Sequence, residues 1–220
     1  MSLVTLNEFL NILMMVTSFL LVLFSYSKIK YTKQARFIFM YLLLGVVVDS
    51  ITFYFYKIKN QNSYWLTPFY FLQFFVLLSF AFRSFLNEYY QKKAMVFFIF
   101  LGIFLLICRY FFFDYINNYD NIAWFFIQLY YVVLCLVFFY FQTKFTKSTL
   151  YRNSFFIFTL AVFINCLMPL LSNLLQYSLY ETSPVYFTYA LLIINISGII
   201  ANLLIFRAIQ FLTPISTPKP

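Results

Sequence analysis

Residues 43–55 read LLGVVVDSITFYF, an apolar run that holds one carboxylate, Asp49. A bilayer core about 30 Å thick takes roughly 20 apolar residues in a helix, so the run alone is too short to cross. Upstream, however, ARFIFMYL at 35–42 continues it, and the combined segment 36–56 begins at Arg36 and stops before Lys57. A helix that can cross a membrane is therefore expected at 36–56, with an aspartate inside it.

The pattern repeats along the chain. Apolar runs near 6–26, 66–87, 94–113, 121–142, 151–177 and 186–210 are separated by short polar joints, none long enough for a second folded domain. The expected fold is an all-α membrane protein, a single bundle of seven transmembrane helices over residues 1–212. The proline-rich TPISTPKP at 213–220 is expected to be a disordered cytoplasmic tail. Composition agrees: 64% of residues are hydrophobic and 10% charged, too few charged side chains to wet the surface of a soluble domain.

The formal charge of +9 is spread along the chain. Lys28, Lys30, Lys33 and Arg36 follow the first run; Arg83, Lys92 and Lys93 the third; Lys144, Lys147 and Arg152 the fifth; Arg207 and Lys219 the seventh. Only Lys57, Lys59 and Arg109 fall in the alternate joints, whereas Glu8, Asp114, Asp120 and Glu181 lie on that side. Lys and Arg favour cytoplasmic loops, so the amino terminus is expected outside and the carboxyl terminus in the cytoplasm, in a multi-pass protein of the inner membrane. Cationic loops facing an anionic leaflet account for the charge, and no nucleic-acid partner is implied. The first run, led by Glu8 and lacking a small-residue cleavage site, is expected to be retained as a helix.

Several chemistries are excluded. The chain has no histidine, which removes imidazole bases and histidine-ligated haem or zinc. One intramembrane aspartate cannot make an aspartyl dyad, and no paired-acid, Ser-Lys or glycine-rich nucleophile motif is present. Helix 7, VYFTYALLIINISGIIANLLIFRAIQ, has no lysine and so cannot carry a retinal imine. Cys108, Cys135 and Cys166 all fall inside expected spans and read as packed thiols. No catalytic residue, metal or cofactor is implied, and an enzyme is not expected.

Polar residues inside the spans are costly and should face the bundle. Asn11, Asp49, Gln73, Arg109 and Gln128 sit in the outer third of helices 1 to 5, while Asn165 and Asn195 lie near the middle of helices 6 and 7. On helix 2, Tyr41, Gly45, Asp49, Thr52 and Tyr56 share one face by their spacing. Two readings stand. The amides act as interhelical bridges, each contributing about 0.6–2 kcal/mol, or the polar residues converge, with Tyr41, Tyr130 and Trp124 nearby, on a pocket open to the outside. For Asp49 the options are an ion pair with Arg109 or separate snorkelling of each toward outer water. Pro169, in NCLMPLLSN, removes the donor to the Asn165 carbonyl and predicts a kink in helix 6. The runs FLQFFVLLSFAFRSF from Phe71 and FIQLYYVVLCLVFFYF from Phe126 also match well enough to suggest an internal repeat.

The stretches TPFYFLQFFVLLSFAFRSFL, YRNSFFIFTLAVFINCLMPLLSNLL and IINISGIIANLLIFRAI resemble the third, sixth and seventh helices of uncharacterised bacterial seven-helix membrane proteins of about 220 residues, often encoded near sensor kinases. That resemblance implies the topology and a signalling context, with no established activity. The chain departs from the group where it has Gln73-Phe74 in place of a glutamate and an aromatic, and Tyr151-Arg152 in place of an aromatic pair, so any role of that acid is absent here. The expected function is a non-enzymatic membrane protein that senses or signals through a small-molecule or lipid site in the outer half of the bundle and contacts a membrane or cytoplasmic protein partner. The alternatives are a small secondary transporter or channel using the same polar residues, and a structural subunit of a membrane complex.

Overall fold

The computed structural model describes residues 2–86, 92–93, 95–97, 99–100, 102–104, 107, 121–145, 152–179 and 184–212. These residues are all-α, with no strand among them. Helix α1 spans Leu3–Lys28. Helix α2 spans Lys33–Phe53 and runs on through a π turn, Tyr54–Ile58. After a short 3₁₀ turn at Tyr64–Leu66, α3 is built from Thr67–Phe71, a π segment Leu72–Leu77, and Leu78–Phe85. A shorter apolar helix, α4, covers Met95–Phe104. The remaining helices are α5 (Asn121–Phe145), α6 (Ser154–Leu179) and α7 (Pro184–Gln210).

Among the described residues four stretches are long and apolar enough to cross a membrane: Leu3–Lys28, Lys33–Ile58, Ser154–Ser172 and Thr188–Gln210. They mark a membrane-embedded protein, and the distribution of side chains agrees. On α1, Phe9, Ile12, Val16, Phe19, Leu20 and Leu23 form an exposed apolar stripe at helical spacing, while Ser25 is buried. The same inversion recurs on α7, where Ile193, Ile196, Ile200 and Leu203 are exposed and Asn195 and Asn202 are buried. Apolar surface turned outward and amides turned inward is stable against lipid and unstable against water.

Local signals set the helix ends. Thr32 caps α2, its Oγ1 accepting from the Ala35 amide at 3.1 Å, and Asn153 caps α6, its Oδ1 accepting from Phe155 at 2.9 Å and Phe156 at 3.2 Å. Helix α2 stops where Asn60 adopts a left-handed φ of 53°, a conformation that asparagine tolerates better than most residues. Hydroxyls inside the helices bond back to their own backbone, as Ser50 Oγ does to the Val46 carbonyl at 2.6 Å, which makes them tolerable in apolar surroundings.

The described chain divides into two compact units, one of Met1–Leu21 with Phe125–Leu212 and the other of Val22–Trp124. In the second unit α2 and α3 are antiparallel: Phe37 stacks on Phe80 at 5.7 Å, and Gln34 Nε2 donates to the Ser84 carbonyl at 3.1 Å. Helix α4 meets α3 where Gly102 lies under the Phe75 ring, which would collide with any Cβ there.

In the first unit α6 and α7 are antiparallel, with Ser154 Oγ donating to the Ala208 carbonyl at 2.7 Å. Phe139 of α5 contacts Phe163 of α6 at 5.6 Å. Cys135 and Cys166 are buried here as free thiols, whereas Cys108, the rest of the expected 94–113 span and the tail at 213–220 lie outside the described residues.

Helices α1 and α7 form a polar seam. Asn195 Nδ2 donates to Asn7 Oδ1 at 2.7 Å, Gly198 faces the Met14 side chain, and Asn202 Nδ2 donates to Thr17 Oγ1 and Ser18 Oγ, each at 2.9 Å. Both sets of residue numbers rise together, so α1 and α7 run parallel.

Candidate functional site

The second unit gathers four of the residues expected to matter: Tyr41, Asp49, Gln73 and Trp124. Spacing places Tyr41, Gly45, Asp49 and Thr52 on the inner face of α2, and there Tyr41 and Gly45 are buried while Asp49 and Thr52 are half-buried. Tyr56, expected on the same face, is 63% exposed. Tyr56 lies in the π turn at the end of α2, where the Lys59 amide bonds to the Tyr54 carbonyl at 3.2 Å.

Asp49 is met by a side chain that the sequence had hidden among aromatics. The Tyr70 hydroxyl donates to Asp49 Oδ1 at 2.6 Å, and Thr52 Oγ1 lies 3.3 Å from the same hydroxyl. With the Tyr70 proton committed to the carboxylate, Thr52 donates in turn to Tyr70, giving a relay from α2 to α3 and back. The second oxygen of Asp49 has no hydrogen-bond partner among the described residues. Arg109, the expected ionic partner, lies outside them.

Below the relay, Gln73 is buried and its Nε2 donates to the Tyr41 carbonyl at 3.1 Å. A Cβ at Gly45 would fall on that amide, so the glycine is what lets the glutamine reach across. Gln73 belongs to the π segment of α3, in which the Leu78 amide bonds back to the Gln73 carbonyl. π segments within helices occur frequently at functional positions.

Aromatic rings close the other side. Trp124 lies 6.0 Å from the Tyr70 ring, 5.3 Å from Phe71 and 5.4 Å from Phe74, all in tilted or edge-on geometry, and Tyr41 stands edge-on to Phe74 at 5.7 Å. Such geometry aligns ring edges with ring faces. Trp124 is 8% exposed, and its indole N–H has no acceptor among the described residues. A buried donor without a partner costs about 1–3 kcal/mol.

The remaining expected residues lie in the first unit. Asn195 bridges to Asn7, a residue that sequence reasoning passed over, and Asn202 does the same to Thr17 and Ser18. Gln128 is buried on α5, Asn165 is half-buried on α6, and Asn11 is exposed on α1. Pro169 sits inside α6, which continues through it from Ser154 to Leu179. Gln142, not singled out from the sequence, is a buried amide on α5 with neither polar atom bonded among the described residues.

Chemically, the site offers a carboxylate with one open oxygen, a phenol hydroxyl that orients it, an indole N–H in need of an acceptor and several ring surfaces. No group of three or more potential metal ligands occurs among the described residues. No protein-family model matches the chain, and neither a curated protein nor a solved structure matches it.

Proposed function

We propose that the chain is a non-enzymatic, seven-helix protein of the bacterial inner membrane, of the kind it resembles in sequence, that senses a small molecule or lipid at the Asp49–Tyr70–Trp124 site and signals to a protein partner. The observation that carries the reading is the Tyr70–Asp49 hydrogen bond. An apolar helix keeps an aspartate, and its neighbour spends a hydroxyl on holding that carboxylate in one orientation. Intramembrane carboxylates are costly and are retained where they bind or carry something. The parallel packing of α1 and α7 supports an odd number of crossings, and the basic residues after runs 1, 3, 5 and 7 support a cytoplasmic carboxyl terminus.

A transporter is the second reading, favoured by Pro169 within α6 one turn after the half-buried Asn165, since proline in a hydrophobic segment is a pointer to solute sites in transporters. Reconstitution separates the two. A sensor binds a ligand in liposomes without moving it, and deletion of its gene changes the activity of a partner such as a sensor kinase. Net accumulation of solute inside the liposomes would replace the sensing proposal with the transport one.

A further inference from the structure

The proposed site also points to the charge of its ligand, an inference that rests on reading it as a ligand site at all. Three observations converge. Among the described residues no Lys or Arg lies within ion-pair distance of Asp49, so its charge in an apolar helix is compensated there by the Tyr70 hydroxyl alone. Tyr70 takes one carboxylate oxygen and leaves the other open. Its own ring then leads directly to Trp124, whose centroid lies 6.0 Å away.

An anionic ligand is repelled by this carboxylate, and a purely apolar one leaves it unmet. A cation answers both features, because a desolvated positive charge is attracted to a carboxylate and to the negative faces of Trp and Tyr rings, with Trp the strongest. A hydrated inorganic ion would need several oxygen ligands, whereas the walls here are rings. An ammonium with carbon substituents fits rings and carboxylate together, and an acceptor oxygen on the same ligand would serve the unpaired Trp124 N–H.

We propose that the site binds an organic ammonium ion, either a free amine or the headgroup of an amine-bearing phospholipid, through an ion pair to Asp49 and cation–π contact with Tyr70 and Trp124.

The test uses the full chain in nanodiscs with Trp65→Phe, which leaves Trp124 as the sole indole of the two in the sequence. Choline and ethanolamine are titrated against Trp124 fluorescence in phosphatidylglycerol discs, beside the uncharged carbon isostere of choline, 3,3-dimethylbutan-1-ol, and sodium acetate. The expected result is a saturable response to the amines, at least tenfold weaker for the isostere and at least tenfold weaker again in Asp49→Asn. Discs containing phosphatidylethanolamine then identify the source: loss of the amine response there means that headgroups already fill the site, and an unchanged response means a free amine.

A saturable response to the isostere or to acetate, with none to the amines, overturns the ammonium assignment and leaves the ligand site standing. No response to any probe in either disc removes both. If Asp49→Asn does not fold, the choline–isostere comparison on the Trp65→Phe chain decides, supplemented by the rise in Tm that each compound gives the unaltered chain.

Discussion

Tyr70 donates its hydroxyl to Asp49 Oδ1 across 2.6 Å, tying α3 to α2 at the one aspartate inside an expected span. Hydrogen bonds to charged groups contribute about 1.5–3 kcal/mol. Tyr70→Phe keeps the ring against Trp124 and removes the hydroxyl that Asp49 and Thr52 share. It is expected to lower stability by about that amount in thermal or denaturant unfolding in detergent, and a double-mutant cycle with Asp49→Ala, which removes the acceptor, should show coupling of about 1 kcal/mol or more. Additive single losses would mean that the bond is not made.

Gly45 and Gly198 make a matched pair of tests with opposite expectations. A Cβ at Gly45 collides with the Gln73 amide and comes within 3.2 Å of its Cδ, and that amide is held by the Tyr41 carbonyl. Gly45→Ala must break that bond and should cost about 1–2 kcal/mol. At Gly198 the Cβ meets the sulfur of Met14 at 2.5 Å, the far part of a flexible side chain that can swing aside. Gly198→Ala is expected to be near neutral, because alanine regains roughly 0.5–1 kcal/mol of helix propensity. In a Gln73→Ala background the penalty at Gly45 should vanish.

The polar seam makes a geometric prediction. In a cysteine-free background, cysteines at Asn7 with Asn195, and at Ser18 with Asn202, are expected to cross-link on oxidation, whereas Asn7 with Asn202 should not. Antiparallel packing of α1 on α7 would reverse the outcome. The proposed seven-crossing topology makes a related prediction: reporters fused to the two ends of the chain should differ in their access to an impermeant reagent, and equal access would overturn that topology.

Much of α2 was legible because a carboxylate in an apolar run has few places to go, and period-3.6 spacing then fixes its companions. Tyr41, Gly45 and Thr52 follow from that alone. Tyr56 shares their spacing yet is exposed, because spacing fixes a face of the helix but not how far along it a neighbour reaches. Tyr70 was hidden for a different reason. In FYFLQFF every residue but the glutamine is aromatic or leucine, and a tyrosine in such company reads as interfacial filler until a structure shows its hydroxyl on a carboxylate. Asn11 and Asn195 were visible as polar residues inside apolar runs, but whether such an amide finds a partner depends on which helices lie side by side, and local periodicity carries no such information; Asn11 is exposed and Asn195 meets Asn7. Asn7 and Asn202 enter the seam only once α1 and α7 are seen to be neighbours.

Asn202 allows the bridging role of these amides to be measured. Its Nδ2 reaches Thr17 Oγ1 and Ser18 Oγ at 2.9 Å each, while both hydroxyls donate to the Met14 carbonyl at 2.8 and 2.9 Å. One amide therefore closes a network of four groups whose other bonds are already made within α1. Because the hydroxyls keep a backbone acceptor when the amide is lost, Asn202→Leu should cost only about 0.6–2 kcal/mol in a denaturant titration, with little added loss on Thr17→Val. Asn195→Leu leaves the Asn7 carboxamide with no α7 donor and should cost at least as much. A larger loss at Asn202 than at Asn195 would show that the weight of the seam lies toward the carboxyl-terminal end of α1.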